Sequence, residues 1–218
     1  MSNGNDGRAP GRPVVRTPGA NAVVLGLKGS GKTYLVKHRL LPNHSRVLVI
    51  DPNREYGDVC VEVHSLEEWA SYLERTSGAW RVALFSTDLE DSFDDLCEAV
   101  WSVGNMLLVV EEVDKFCDPS YIGDAFFKIV NYGRHSEAGP IDFLAVSRAP
   151  ADMHRSLTRM AYEIYCFTMG EPRDLDYLKK RVSEEFADGL QALPPQHYRY
   201  MDLRDRTKGP QNVGPGGT

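Results

Sequence analysis

The sequence predicts an α/β fold, with a mostly parallel central sheet and helices on both faces, on three observations. Apolar runs alternate with helical patterns along most of the chain, the order in which strands and crossover helices follow one another in such sheets. The run Met106-Leu107-Leu108-Val109-Val110 is apolar at every position, as a strand buried on both faces must be. The 218 residues, 42% of them hydrophobic and 26% charged, are enough for one well-buried core. A single domain over residues 21–207 is expected. Residues 1–20, rich in Gly, Pro and Asn with Arg8, Arg12 and Arg16, and residues 208–218 (KGPQNVGPGGT) carry too little apolar surface to fold and are expected to be disordered tails.

The elements follow in order. A first strand covers Ala22 to Leu25, and after a Gly-rich loop a helix runs from about Lys32 to Leu41, where Pro42 ends it. Arg46 to Ile50 is the second strand, closed by Asp51. Ser65 and Glu68 form an S-x-x-E capping box, which satisfies orphan amides at a helix start. Trp80 to Phe85 reads as a strand. From about Glu90, the residues Phe93, Leu96, Cys97, Val100 and Trp101 recur at helical spacing up to Gly104. Beyond the strand at Met106 to Val110 come a helix over Ile122 to Tyr132 and strands near Ile141 to Val146 and Ile164 to Phe167. A terminal strand at Tyr198 to Met201 completes the sheet. Trp69, Trp101, Phe126 and Phe127 fall on helical faces and read as core.

Composition narrows the function. A net charge of −6 argues against a protein that coats nucleic acid, because neutralising many phosphates needs a basic face, although it leaves room for a local basic patch or pore. Cys60, Cys97, Cys117 and Cys166 form no C-x-x-C pair, so neither a zinc ribbon nor a disulfide framework is expected, and a reducing compartment fits best. No histidine has metal-ligand spacing. No apolar run reaches the roughly 18 residues of a membrane span, and the N-terminus has no signal-peptide core.

The chemistry begins at the Gly-rich loop. Gly26-Leu27-Lys28-Gly29-Ser30-Gly31-Lys32-Thr33 fits G-x-x-x-x-G-K-[ST], the phosphate-binding loop, with a strand before it and a helix after it. Gly26, Gly29 and Gly31 let successive N–H groups turn inward around phosphates, Ser30 among them. Lys32 is placed to reach the β- and γ-phosphates of ATP, and the Thr33 hydroxyl to ligate Mg²⁺. Glu111 and Glu112 follow the most buried strand directly. A parallel sheet presents its ligand site at the carboxyl ends of its strands, so the first acid is expected to hold Mg²⁺ through water and the second to orient the attacking water. Two arginines, Arg134 in Tyr132-Gly133-Arg134-His135 and Arg148 in Ser147-Arg148-Ala149-Pro150, are candidates to complete the site, or else surface salt-bridge partners.

With these residues in place the chain resembles the FtsK–HerA superfamily of ring-forming DNA translocases, whose domain is RecA-like and of the ASCE type. Asp51-Pro52-Asn53-Arg54-Glu55-Tyr56 looks like the D-P-x-x-E-Y segment of HerA-like members. The Arg134 and Arg148 segments are similar to the family's arginine segment and its strand-end Q-R-P segment. Leu157-Thr158-Arg159 and Glu171-Pro172-Arg173-Asp174-Leu175-Asp176-Tyr177-Leu178 extend the likeness, which covers residues 20–203. Two positions depart from the pattern: Glu111 stands where the family usually has Asp, and Ser147 where it often has Gln.

The resemblance implies a hexameric or pentameric ring with ATP at subunit interfaces and double-stranded DNA through its centre. It carries nucleotide and Mg²⁺ binding to Lys32 and Thr33, catalysis to Glu112, a finger acting on the neighbouring subunit to Arg134 and a polar sensor to Ser147. Asp51 and Glu55 would tune the site's charge, or Asp51 would simply start a turn. A bare motor core of this length looks like the genome-packaging ATPases of membrane-containing icosahedral viruses, which implies the host cytoplasm or the packaging vertex of the virion as location, with a capsid vertex or viral membrane protein as partner. Candidate DNA contacts are Lys115 to Tyr121 and the cluster Lys179-Lys180-Arg181. The alternatives are a HerA-like cellular or plasmid motor, a small-molecule P-loop kinase, and an adaptor that binds ATP and scarcely hydrolyses it. A GTPase is disfavoured because no N-K-x-D or T-K-x-D motif is present.

Overall fold

The computed structural model describes residues 21–215; the expected N-terminal tail, residues 1–20 with its arginines, and the final residues 216–218 lie outside the described residues. The strands are β1 Asn21–Leu25, β2 Arg46–Ile50, β3 Val61–Val63, β4 Trp80–Leu84, β5 Met106–Val110, β6 Ile141–Ser147, β7 Glu163–Phe167, β8 Tyr198–Asp202 and β9 Gln211–Val213. They form one sheet in the order β3-β4-β2-β5-β6-β1-β7-β8-β9. From β3 to β7 every pairing is parallel. At the far edge β8 runs antiparallel to β7, and β9 antiparallel to β8. As the sequence predicts, β5 is interior and buried at all its positions.

The helices are α1 Lys32–Leu35, α2 Leu66–Arg75, α3 Phe93–Val103, α4 Asp124–Tyr132, α5 Arg155–Arg159, α6 Pro172–Arg181 and α7 Glu184–Asp188. The first passes without a break into a π-helical turn, Val36–Leu40, and a 3-10 turn, Leu41–Asn43. Pro42 sits inside that last turn, where its missing N–H costs nothing, so the helical run ends two residues later than expected. At α2 the Ser65 hydroxyl accepts from the Glu68 N–H, and the Glu68 carboxylate reaches back to the His64 N–H, one residue ahead of the cap.

Alternate residues of each strand enter opposite layers, which is why two separate cores form. Val23, Leu25, Leu48, Ile50, Leu108 and Val110 pack with Trp69 of α2, Leu96 of α3, Phe126 of α4, Leu178 of α6 and Phe186 of α7. Ala22, Val24, Val47, Val49, Leu107 and Val109 pack beneath Leu35, Val36, Leu40 and Leu41, together with Tyr56. One face therefore carries most of the helices, and the other is covered by the helix that follows the Gly-rich loop.

Three expectations are corrected. The described part of the C-terminal tail is not disordered: Gln211–Val213 is β9, paired with Tyr198 to Tyr200, so β8 is not terminal. A short edge strand needs only a neighbour's backbone groups as partners, and composition does not record those. Phe127 is 38% exposed rather than core, because it lies on the far side of α4 from the buried Phe126.

Candidate active site

Register brings the predicted residues to one edge. Leu25 pairs with Ser147, Val110 with Ala145, and Ile50 with Val110. The residues that follow β1, β2, β5 and β6 thus emerge side by side at the carboxyl end of the sheet. Gly26, Gly29 and Gly31 all have positive φ (143°, 75° and 112°). A Cβ on Gly26 would lie 2.6 Å from Phe167 Cβ, whereas one on Gly29 would meet nothing within 4 Å. The loop is clamped against β7 on one side and open on the other. Lys32 arches across it, its ammonium donating to the carbonyls of Gly26 at 2.9 Å and Leu27 at 3.0 Å. Burial lowers the Lys32 pKa, against Glu111 and Glu55, which pull it upward.

The Asp51 to Tyr56 segment has a clear local logic. The Asp51 carboxylate accepts the N–H groups of Glu55 (3.0 Å) and Tyr56 (2.9 Å), folding the chain into a turn just beyond β2. That turn places Glu55 Oε2 where the Thr33 hydroxyl donates to it, at 3.1 Å. It also drives the Tyr56 ring into the core, where its hydroxyl donates to Glu111. Burial pushes Glu111 up to about 7, against Tyr56 and Lys32, which draw it down. Asp51 is likewise raised by burial, against its two amide donors. Asp51 is thus a builder of the turn, Glu55 the contact to Thr33, and Tyr56 the support of Glu111. Sequence reasoning missed the role of Tyr56, although the D-P-x-x-E-Y pattern contained it.

Glu112 adopts a left-handed backbone, φ 48° and ψ 48°, at the start of a 3-10 turn over Val113–Lys115. Its carboxylate pairs with Lys115 Nζ at 2.7 Å, and the Asn53 side chain lines the same cleft. Burial works to raise the Glu112 pKa, and Lys115, Asn53 and Arg148 together outweigh it, leaving the group below the ordinary value. Ser147, buried, donates its hydroxyl to Asp114 at 2.6 Å and accepts from the Ala149 N–H at 3.0 Å. Its hydroxyl is thereby engaged in holding the turn after β5 to the end of β6. Lys32, Thr33, Asn53, Glu55, Glu111, Glu112, Ser147 and Arg148 all line one cleft of about 230 Å³.

Arg134 is elsewhere. It lies in the 3-10 turn Gly133–His135, with its guanidinium on the His135 ring (2.9 Å) and the Tyr162 hydroxyl (3.2 Å). Tyr162 bonds the carbonyl of Asn21 at the start of β1. Arg134 therefore stands at the amino end of β6 and Arg148 at its carboxyl end, roughly 20 Å apart along that seven-residue strand. Of the predicted DNA contacts, Lys179 pairs with Asp188 at 3.1 Å, Arg181 lies over the Tyr177 ring, and Tyr121 is 62% exposed.

Beyond Gly29 and Gly31 the groove opens into a second pocket of about 290 Å³, lined by Tyr34, Leu35, Phe167, Gln196 and Tyr198, with Gly214 and Pro215 from the tail. Nothing in the sequence motifs pointed to this pocket, since its walls come from the loop's own helix and from the far edge of the sheet.

The residues fit a nucleoside triphosphate with Mg²⁺. Ser30 Oγ is buried with no hydrogen-bond partner among the described residues, and a phosphate oxygen would satisfy it. The Thr33 hydroxyl and the Glu111 carboxylate are hard oxygen donors of the kind Mg²⁺ prefers. Among the described residues no group of three His, Cys, Asp or Glu could hold a metal ion. No helix of the described residues is long and apolar enough to cross a membrane.

No family model matches the chain. Protein P9 of Pseudoalteromonas phage PM2 is 21% identical over 203 residues, covering 88% of each chain. The genome packaging NTPase B204 of Sulfolobus turreted icosahedral virus 2, solved in complex with AMP, superposes with a TM-score of 0.76 at 21% identity, over 92% of this chain and 99% of that one. The same protein in complex with ATP-gammaS gives 0.75 at 22% identity, with the same 92% and 99% covered. The chain thus has the fold of a P-loop NTPase, and its likeness to a viral packaging NTPase extends over nearly its full length.

Proposed function

We propose that this chain hydrolyses ATP to move double-stranded DNA, as the genome-packaging motor of a membrane-containing icosahedral virus. The observation that carries the reading is the shared cleft: Lys32, Thr33, Glu111 and Glu112 converge on it from the ends of two parallel strands. The likeness in fold to B204, and the sequence likeness to Protein P9, support the viral role.

In this reading the loop amides and Lys32 hold the β- and γ-phosphates, and the base lies beyond Gly31 in the pocket beside Tyr34 and Phe167. Mg²⁺, when bound with the nucleotide, neutralises phosphate charge. Thr33 and Glu111 would hold it, with Tyr56 fixing the Glu111 carboxylate. Glu112 orients a water and takes its proton as the water oxygen bonds to the γ-phosphorus; the bond to the bridging oxygen breaks, and ADP leaves with that electron pair. Arg148 faces the γ-phosphate in its own subunit, and Arg134, at the opposite end of the strands, is directed at a neighbour's site in a hexameric or pentameric ring. DNA would pass through the pore of that ring, with a capsid vertex or viral membrane protein as docking partner, in the host cytoplasm or at the virion's packaging vertex.

The test is ATP hydrolysis by the full chain with and without long double-stranded DNA, alongside its mass in solution. Stimulation by DNA together with assembly supports the motor. Phosphate transfer to a nucleoside acceptor with no response to DNA would replace it with a small-molecule kinase.

A further inference from the structure

The pocket beyond Gly31 is walled by Tyr34, Phe167 and Tyr198, with the Phe167 and Tyr198 ring centroids 5.3 Å apart. Aromatic faces stack on any base and do not tell one from another. Discrimination therefore falls to the hydrogen-bonding groups of the lining. Arg39 can only donate, and N7 accepts in adenine and guanine alike. A tyrosine hydroxyl is a single atom that turns to donate or to accept. Gln196 alone among the lining side chains carries a donor and an acceptor side by side in one plane, and the lining has no carboxylate.

Gln196 is also held where a glutamine is out of place. Its φ is 61°, and the His197 N–H donates to the Pro194 carbonyl at 3.1 Å, so Pro194 to His197 is a turn with proline second and positive φ third. Glycine is the residue that such a turn prefers at that position. The tail packs on this turn: a Cβ on Gly214 would lie 3.2 Å from His197 Nε2, and Gly214 and Pro215 line the pocket beside Gln196. Gln196 is exposed, at the mouth of the pocket. Backbone strain of this kind recurs at ligand clamps, where the side chain's contacts offset it.

We infer that Gln196 determines base specificity, reading adenine through its amide. This deepens the hydrolytic reading above and rests on its placement of the base. Adenine presents its N6 amino donor beside an acceptor on both edges, N1 on one and N7 on the other, so the amide pairs with either. Guanine presents two acceptors, N7 and O6, on one edge and matches the amide only on the other. The pocket thus favours ATP over GTP.

The experiment compares kcat/KM for Mg²⁺-ATP and Mg²⁺-GTP in wild type, Gln196→Gly and Gln196→Glu, with the melting temperature of each chain. Wild type is expected to prefer ATP by about five- to tenfold, the low end for a bidentate contact, as suits an exposed site. Gln196→Gly should bring the ratio near one without lowering the melting temperature, because glycine relieves the positive φ. Gln196→Glu, whose carboxylate only accepts, should shift the preference toward GTP, whose N1–H and amino group both donate. A merely structural residue would lower the melting temperature and both kcat/KM values together, with the ratio unchanged. That result, or a wild type that does not prefer ATP, overturns the assignment while the hydrolytic reading stands. If wild type hydrolyses neither nucleotide, both fall.

Discussion

The Tyr56 hydroxyl donates to the Glu111 carboxylate, joining the turn after β2 to the end of β5 within the buried floor of the cleft. The two residues are 55 positions apart, and the bond exists because Asp51 bends the intervening turn. Tyr56→Phe keeps the packed ring and removes the donor. Above pH 7, where Glu111 is mostly ionised, a hydrogen bond to the charged acceptor contributes about 1.5–3 kcal/mol, so the urea midpoint measured there should fall accordingly. The Mg²⁺ concentration needed for half-maximal hydrolysis should rise as the carboxylate loses its support. Unchanged values of both would remove Tyr56 from the site.

Asp51 accepts two amides, that of Tyr56 buried and that of Glu55 part-buried. Asp51→Ala leaves them unpaired, at roughly 1–3 kcal/mol each where they are buried, and should cost more stability than Tyr56→Phe. Asp51→Asn, which keeps one acceptor oxygen, should fall between. Chemical denaturation of the three variants gives the ranking.

The glycines of the loop should separate by space rather than by motif. A methyl at Gly26 meets Phe167 Cβ at 2.6 Å, so Gly26→Ala should unfold the loop's clamp and lower the melting temperature. Gly29→Ala meets nothing and pays only for its positive φ, about 1 kcal/mol. Equal destabilisation by the two would contradict the clamp.

Much of the fold was legible because it is written in local signals. The apolar run of β5, the capping box at Ser65 and the loop between β1 and α1 are each short, strong and contiguous. What was not legible depends on partners distant in sequence. The strand β9 is held by backbone bonds to β8, and the exposure of Phe127 follows from which side of α4 faces the sheet. At the site, the residues of the phosphate loop and Glu111 and Glu112 were found by pattern. Lys115 and Asp114 were not, since an ion pair with Glu112 or a hydrogen bond accepted from Ser147 leaves no periodic trace in the chain.

The positions of the two arginines make a contrast that subunit mixing can read. Arg148→Ala subunits mixed with Lys32→Ala subunits should recover no hydrolysis, because both residues line the same cleft. Arg134→Ala mixed with Lys32→Ala should recover a fraction, each subunit supplying what its neighbour lacks. Recovery in the first mixture, or none in the second within an assembled ring, would reverse the assignments.

Cys60 is half-buried, and burial pushes its thiol up to about 11. At pH 7 only about one molecule in ten thousand would carry the thiolate there. Alkylation by iodoacetamide in the native state should therefore be much slower than for a free cysteine. Labelling at the rate of the unfolded chain would contradict the packing around β3.

The most direct test of the central claim is single-turnover hydrolysis of Mg²⁺-ATP by wild type and by Glu112→Gln, with nucleotide binding measured in parallel. The amide keeps the shape of the side chain and cannot accept the water's proton. Binding preserved within a few-fold, with hydrolysis reduced by about a hundredfold or more, is the result expected. Hydrolysis by Glu112→Gln at the wild-type rate would contradict the account.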